Sequence, residues 1–162
     1  MTGKEWLAAA EPGWRVLVRL MVGLVVFLPE GIQKLLYPDV LGAGRFAKIG
    51  IPWPEVMGPF VGGVEIVCGA LIILGLFTRL AAVPLIVVML VAIVSTKIPI
   101  LLGTDFLGFH VPQMARYGFW SMQHEARNDL CMLLGCIYLL IVGGGAWSLD
   151  AKIAQRGDGG GN

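Results

Sequence analysis

The chain has 162 residues, 57% of them hydrophobic and 14% charged, with a mean hydropathy of +0.80 and a formal net charge of +1. A soluble domain carries about 25% charged residues, so this one cannot cover a water-facing surface and reads as a single integral membrane domain. Near-neutrality, with no basic stripe or RNA-binding aromatic motif, leaves no electrostatic case for a nucleic-acid partner.

Residues 1–12 open a mixed amphipathic lead-in, "MTGKEWLAAAEPGWR". No small-residue cleavage site follows the next apolar run, so the first helix is expected to be retained. The first span is predicted over residues 13–36, with Pro29 inside it as a kink or an exit point. The second covers residues 56–77, with Glu65 as its one charge, and the third covers residues 80–96, with Lys97 at its boundary. The fourth covers residues 129–147. Each approaches the ~20 residues a bilayer requires. Their apolar runs are continuous rather than alternating, which excludes a β-barrel. The expected fold is all-α: an integral membrane four-helix bundle, antiparallel, over residues 13–150.

Only "GLFTR" separates the second and third spans, which predicts a tight hairpin. Residues 37–55 carry Pro38, Gly42, Gly44, Pro52 and Pro54 and read as an interfacial turn segment. Residues 98–126 mix aromatics with His110, Arg116, His124 and Glu125, a composition suited to the headgroup level. Residues 151–162 form a polar flexible tail by composition. Four spans place both termini on one side. The short basic flanks there favour the cytoplasmic face of the cell membrane.

The charges inside the spans are the candidate site. Arg19, Gly23, Phe27, Glu30 and Lys34 fall on one helical stripe, opposite Val18, Met21, Val22, Val25 and Leu28. The charged stripe is expected to face protein and the Val/Leu side lipid. Glu30 and Lys34 can pair at i,i+4, whereas Arg19 has no acid within reach on its own helix. Glu65 lies near the middle of the second span, where an isolated charge costs about 2.5–3.5 kcal/mol. It is expected to face Arg19 or Lys34, across a contact between the Gly23–Phe27 and Gly62–Gly69 faces. Two readings of Arg19, Glu30, Lys34 and Glu65 stand side by side: charges that fix packing and register, or a ligand or proton-relay cluster.

Further candidates lie at the helix ends. Asp129 opens the fourth span, suits its N-terminal dipole and can accept a charge from Arg127 or Lys97. Arg79 sits in the first turn of the third helix, where a cation opposes the dipole. An Arg79–Asp150 contact is therefore expected as a clamp across the hairpin. His110 and His124 lack any metal-ligand spacing, and no metal site is expected. Ser121, His124 and Glu125 include hydrolase residue types without a nucleophile elbow. No dinucleotide or phosphate-loop motif occurs. Cys131 and Cys136 point about 140° apart on a helix, so with Cys68 they read as buried hydrophobes and not as a redox relay. These patterns assign no catalytic residue.

The chain resembles the DoxX family of small four-helix bacterial and archaeal membrane proteins. Arg19, Gly23, Phe27, Gly31, Lys34 and Leu35 fit its first-helix pattern, "GIPWP" follows, and Glu65, Gly69, Gly75, Thr78, Arg79 and Ala82 fit its second-to-third helix signature. Ser148, Leu149 and Asp150 in "GGGAWSLD" fit its ending. The resemblance implies a membrane subunit linked to oxidoreductase function. One branch resembles a subunit of thiosulfate:quinone oxidoreductase; others are associated with quinone or catechol resistance and oxidative-stress complexes. With no intrinsic cofactor in the sequence, a bound quinone or an oxidoreductase partner protein would supply the redox chemistry. The alternative is a non-catalytic scaffold or small-molecule permeation protein whose charges only stabilise the bundle.

Overall fold

The computed structural model describes residues 12–158, and among these every regular element is helical. Helix α1 spans Arg15–Leu36, α2 Ala43–Ile49, α3 Pro54–Leu74, α4 Thr78–Leu102, α5 Phe119–Val142 and α6 Leu149–Asp158. Three of them, α1, α3 and α4, are long and apolar enough to cross a membrane. Helix α1 packs on α3, α3 on α4, α4 on α5, and α5 returns to α1, while α2 lies against α3. Their shared core holds Val22, Val26, Ile72, Leu85, Met132 and Leu139. Large apolar side chains such as Leu17, Val56, Phe60, Leu80, Leu134 and Ile141 remain on the outside, an exterior suited to lipid rather than water.

Small residues set the helix spacing. A Cβ on Gly69 would meet Phe27 Cβ at 3.0 Å, and one on Gly31 would meet Ile66 N at 3.0 Å. The α1–α3 contact thus forms through the expected glycine stripes. Val22 and Val26, however, are fully buried. The side of α1 that the stripe assigns to lipid is buried in part because α5 covers it, with Val22 against Gly135. Met21 and Leu28 do stay exposed.

Two helices widen into π turns, at Val26–Ile32 in α1 and Ile93–Lys97 in α4. A proline accompanies each, Pro29 inside the first and Pro99 two residues after the second. A helical proline lacks an N–H and its ring crowds the carbonyl four residues upstream. Pro29 would crowd Val25, and Pro99 would crowd Ser95; an inserted residue relieves both. Helix α4 therefore continues through Pro99 to Gly103 (φ 72°) instead of ending at Thr96.

Helix α5 is displaced from the expected fourth span. It begins at Phe119, ten residues early, and stops at Val142, where Gly143 (φ 74°) and Gly145 (φ 78°) adopt left-handed backbone. Residues 151–158, expected to be flexible tail, belong to α6. The lead-in at 1–11 and the last residues, 159–162, lie outside the described range.

The expected Arg79–Asp150 pair does not form. Asp150 Oδ1 accepts from Phe77 N (2.7 Å), and Oδ2 accepts from Thr78 N and Thr78 Oγ1 (3.0 Å each). The carboxylate thus caps α4 directly and holds Phe77 at φ 50°. Asp150 N donates to Gly75 O at 2.9 Å, so both halves of the residue grip the hairpin. Ser148 Oγ meanwhile caps α6 by accepting from Ala151 N at 3.1 Å. Arg79 finds its compensation elsewhere, donating to Ile141 O at 3.0 Å.

Asp150→Ala should lower stability by about 1–3 kcal/mol, with Arg79→Ala costing less. Thermal unfolding in detergent reads both. Asp150→Ala and Thr78→Val should be non-additive because they remove one shared hydrogen bond; an additive pair would contradict the cap.

Candidate functional site

The buried charges separate into two ends of the molecule. At the first, Arg19 is 3% exposed, and among the described residues its guanidinium bonds to backbone carbonyls. Its Nη1 donates to Gly144 O (2.9 Å) and Trp147 O (2.8 Å), and its Nη2 donates to Ile73 O (3.1 Å). Arg15 adds a bond to Val142 O at 3.0 Å. The last carbonyls of a helix lack intrahelical partners and carry its negative dipole end. Arg15 and Arg79 bond to such carbonyls at the end of α5, and Arg19 bonds to one at the end of α3 and to two in the loop that follows α5. The alternative that set Glu65 against Arg19 is thereby corrected: Glu65 pairs with Lys34, and Arg19 is held by backbone carbonyls.

At the other end, Glu65 is 1% exposed and meets Lys34 Nζ at 2.9 Å through Oε1 and 2.7 Å through Oε2. Lys34 also reaches Glu30 Oε2 at 3.2 Å, the i,i+4 pair expected on α1. Asn128 Nδ2 on α5 donates to Glu30 Oε1 at 3.4 Å. A second pair, Lys97 Nζ to Asp129 Oδ2 at 3.1 Å, joins α4 to α5, with Lys97 only 6% exposed. Both pairs line one cavity of about 300 Å³ between α1, α3, α4 and α5. Arg45 from α2 and Glu125 from α5 complete its polar wall, and Phe46, Met57, Val61 and Val88 contribute to the apolar one.

The two π turns both reach this cavity. The first carries Glu30 and the second carries Ser95, Thr96 and Lys97. Inserted residues of this kind recur at functional sites because they re-aim side chains that a regular helix would direct elsewhere. Thr96 Oγ1 bonds back to Ala92 O at 2.5 Å, but Ser95 Oγ is buried without a partner among the described residues. Leaving a buried hydroxyl unpaired costs about 1–3 kcal/mol.

Of the sequence candidates, Glu30, Lys34, Glu65, Glu125 and Asp129 meet at the cavity, and Arg19, Arg79 and Asp150 do not. His124 is exposed on α5, and its carbonyl accepts from Arg127. Asp129 pairs with Lys97 rather than Arg127. Arg45, Ser95 and Asn128 are cavity residues that sequence reading missed; Pro99, four residues after Ser95, was the available signal. His110 Nδ1 lies 2.8 Å from Asp105 Oδ2 on the exposed loop after α4, and this hydrogen bond holds the Asp105 carboxyl below the usual range. Among the described residues no group of three or more His, Cys, Asp or Glu side chains converges to hold a metal ion. Cys68 and Cys136 are buried, Cys131 is exposed, and all three are free thiols.

Removing one member of a buried ion pair is far more damaging than removing an exposed one. Lys34→Met strands Glu65 and should cost about 3–5 kcal/mol, whereas Glu30→Gln, at a partly exposed group, should cost about 1 kcal/mol or less. Unfolding in detergent should rank them in that order; equal losses would contradict the dominance of the Lys34–Glu65 contact.

Comparison with known proteins gives the family. The DoxX family profile matches residues 15–98, which include α1, α2, α3 and the polar π turn of α4. An uncharacterized membrane protein of Mycobacterium tuberculosis is 53% identical over 150 residues, covering 93% of this chain and 87% of the relative. No solved structure matches the chain. With a family match over more than half its length and a relative this similar, the chain belongs to the DoxX family of membrane proteins.

Proposed function

We propose that α1, α3, α4 and α5 form an antiparallel four-helix membrane bundle, and that its cavity binds a quinone within a membrane-associated oxidoreductase system. The closed ring of helix contacts supports the bundle, and the three-residue connection at 75–77 supports opposite directions for α3 and α4. The apolar part of α5, residues 129–142, is about 21 Å long, short of the ~30 Å hydrocarbon core. Its polar first turns therefore approach the membrane boundary, where Asp129 is neutralised by Lys97. Both termini are assigned to the cytoplasmic face of the plasma membrane, which directs the cavity end outward.

The observation that carries the ligand reading is the two-sided cavity at the level of both π turns. Its volume of about 300 Å³ is at the lower end of small-molecule sites, which combine an apolar lining with a few polar groups. The residues fit a quinone ring: Ser95 Oγ is an orphan hydroxyl, and Lys34 and Lys97 are the cationic donors for oxygen acceptors. When bound, a quinone would supply the electron-carrying chemistry, and a partner protein would exchange the electrons. Glu30 and Glu125, the most exposed carboxylates of the cavity, are the groups able to exchange protons with water.

Organic extraction of protein purified in mild detergent, followed by mass spectrometry, should recover about one quinone per one or two chains. A chain that holds none, and shows no electron transfer with its genomic-neighbour proteins present, would favour the scaffold or permeation alternative.

A further inference from the structure

Ser95 is 1% exposed and its hydroxyl has no hydrogen-bond partner among the described residues, yet the residue lines the cavity. Its neighbour Thr96 takes the usual helical solution and bonds to a backbone carbonyl four residues upstream. Ser95 does not. Along α4, Val87, Val91 and Ser95 follow one another at steps of four and so share one stripe. Val87 and Val91 line the cavity while remaining about half exposed on the apolar exterior, and Phe60 does the same from α3. Phe60 on α3 and Val87 and Val91 on α4 thus form an apolar lip to the cavity, with Ser95 buried in the lining behind it. Lys34 and Lys97 on the polar wall already pair with carboxylates, whereas the Ser95 hydroxyl is left to donate to an acceptor oxygen of an apolar molecule that arrives from the bilayer.

We propose that Ser95 donates the hydrogen bond that orients a carbonyl-bearing ring in this cavity, with the ligand's tail leaving between α3 and α4 past Phe60, Val87 and Val91. The inference rests on the quinone reading and adds a positioning residue, an orientation and an entry route. It also explains why a buried hydroxyl is kept without a partner within the protein.

The test uses full-length protein in nanodiscs and two probes, decyl-benzoquinone and decylbenzene, which carry the same tail with and without carbonyls. Affinity is measured by quenching or calorimetry and ligand-free stability by thermal unfolding. Ser95→Ala should raise the unfolding temperature of the ligand-free protein, because it deletes an unpaired polar group. It should weaken decyl-benzoquinone by about tenfold, one hydrogen bond's worth, and leave decylbenzene unchanged. Ser95→Thr, which keeps a hydroxyl, should restore most of the affinity. If wild type binds the quinone and Ser95→Ala binds it equally, the role of Ser95 is overturned and the quinone reading survives. Equal weakening of both probes would show a change of cavity shape and would likewise overturn it. Failure of the wild type to bind decyl-benzoquinone would overturn the quinone reading itself. Binding of a phospholipid carbonyl in its place would appear as native-mass lipid adducts lost in Ser95→Ala, and would reject the quinone as the occupant.

Discussion

A carboxylate held in a low-dielectric interior cannot remain charged alone, and the neighbourhood of Glu65 is organised around that fact. The Glu65 side chain sits on α3 with almost no solvent contact, and Lys34 on α1 reaches both of its oxygens. That pair requires α1 and α3 to meet in one register. The glycines make it sterically possible: Gly31 and Gly69 occupy positions where a methyl group would press on the facing helix. Losing the pair's cation would remove a sizeable part of the ~5–15 kcal/mol that holds a typical domain together.

The same constraint is met differently at the two ends. Three arginines are compensated by carbonyls at the C-terminal ends of α3 and α5, a solution that uses backbone dipoles and holds the chain ends together. The opposite end uses carboxylate–lysine pairs beside a cavity, and the two π turns direct Glu30 and Lys97 into it. Backbone carbonyls are fixed and offer little chemistry. Ion pairs at a cavity wall can exchange partners with a ligand. This asymmetry supports a structural role for Arg19 and Asp150 and a binding role for the Lys34, Glu65, Lys97 and Asp129 group.

Much of this was legible in the residues. Spacing alone revealed the Glu30–Lys34 pair, the glycine contact between α1 and α3, and Lys34 as one of two partners for Glu65. Periodicity cannot choose between Lys34 and Arg19, because Arg19's partners are backbone carbonyls at the end of α3 and in the loop after α5, 54 and 125 residues or more away. The dipole of its own helix points Arg79 to an acid, whereas Asp150 itself meets that helix's amides and Arg79 turns to α5. A single stripe places Val22 towards lipid because it does not reveal that a second helix covers the adjacent face. The start of α5 is not marked by hydropathy, since its first turns are polar and largely exposed, and what anchors them is a tertiary ion pair between Asp129 and Lys97. The π turns escaped notice for a related reason. Pro99 looked like a helix end, although a proline can be accommodated by an extra residue as well as by termination.

On this reading the ion pairs at the cavity serve a ligand and not only the packing. The most direct measurement is quinone binding by the double variant Lys34→Met/Glu65→Leu, beside its thermal unfolding. Replacing both members of a buried pair with apolar side chains commonly leaves stability unchanged or improved. The double variant should fold with near-native stability and lose most of its quinone affinity. A stable variant that binds quinone as wild type does would contradict this reading.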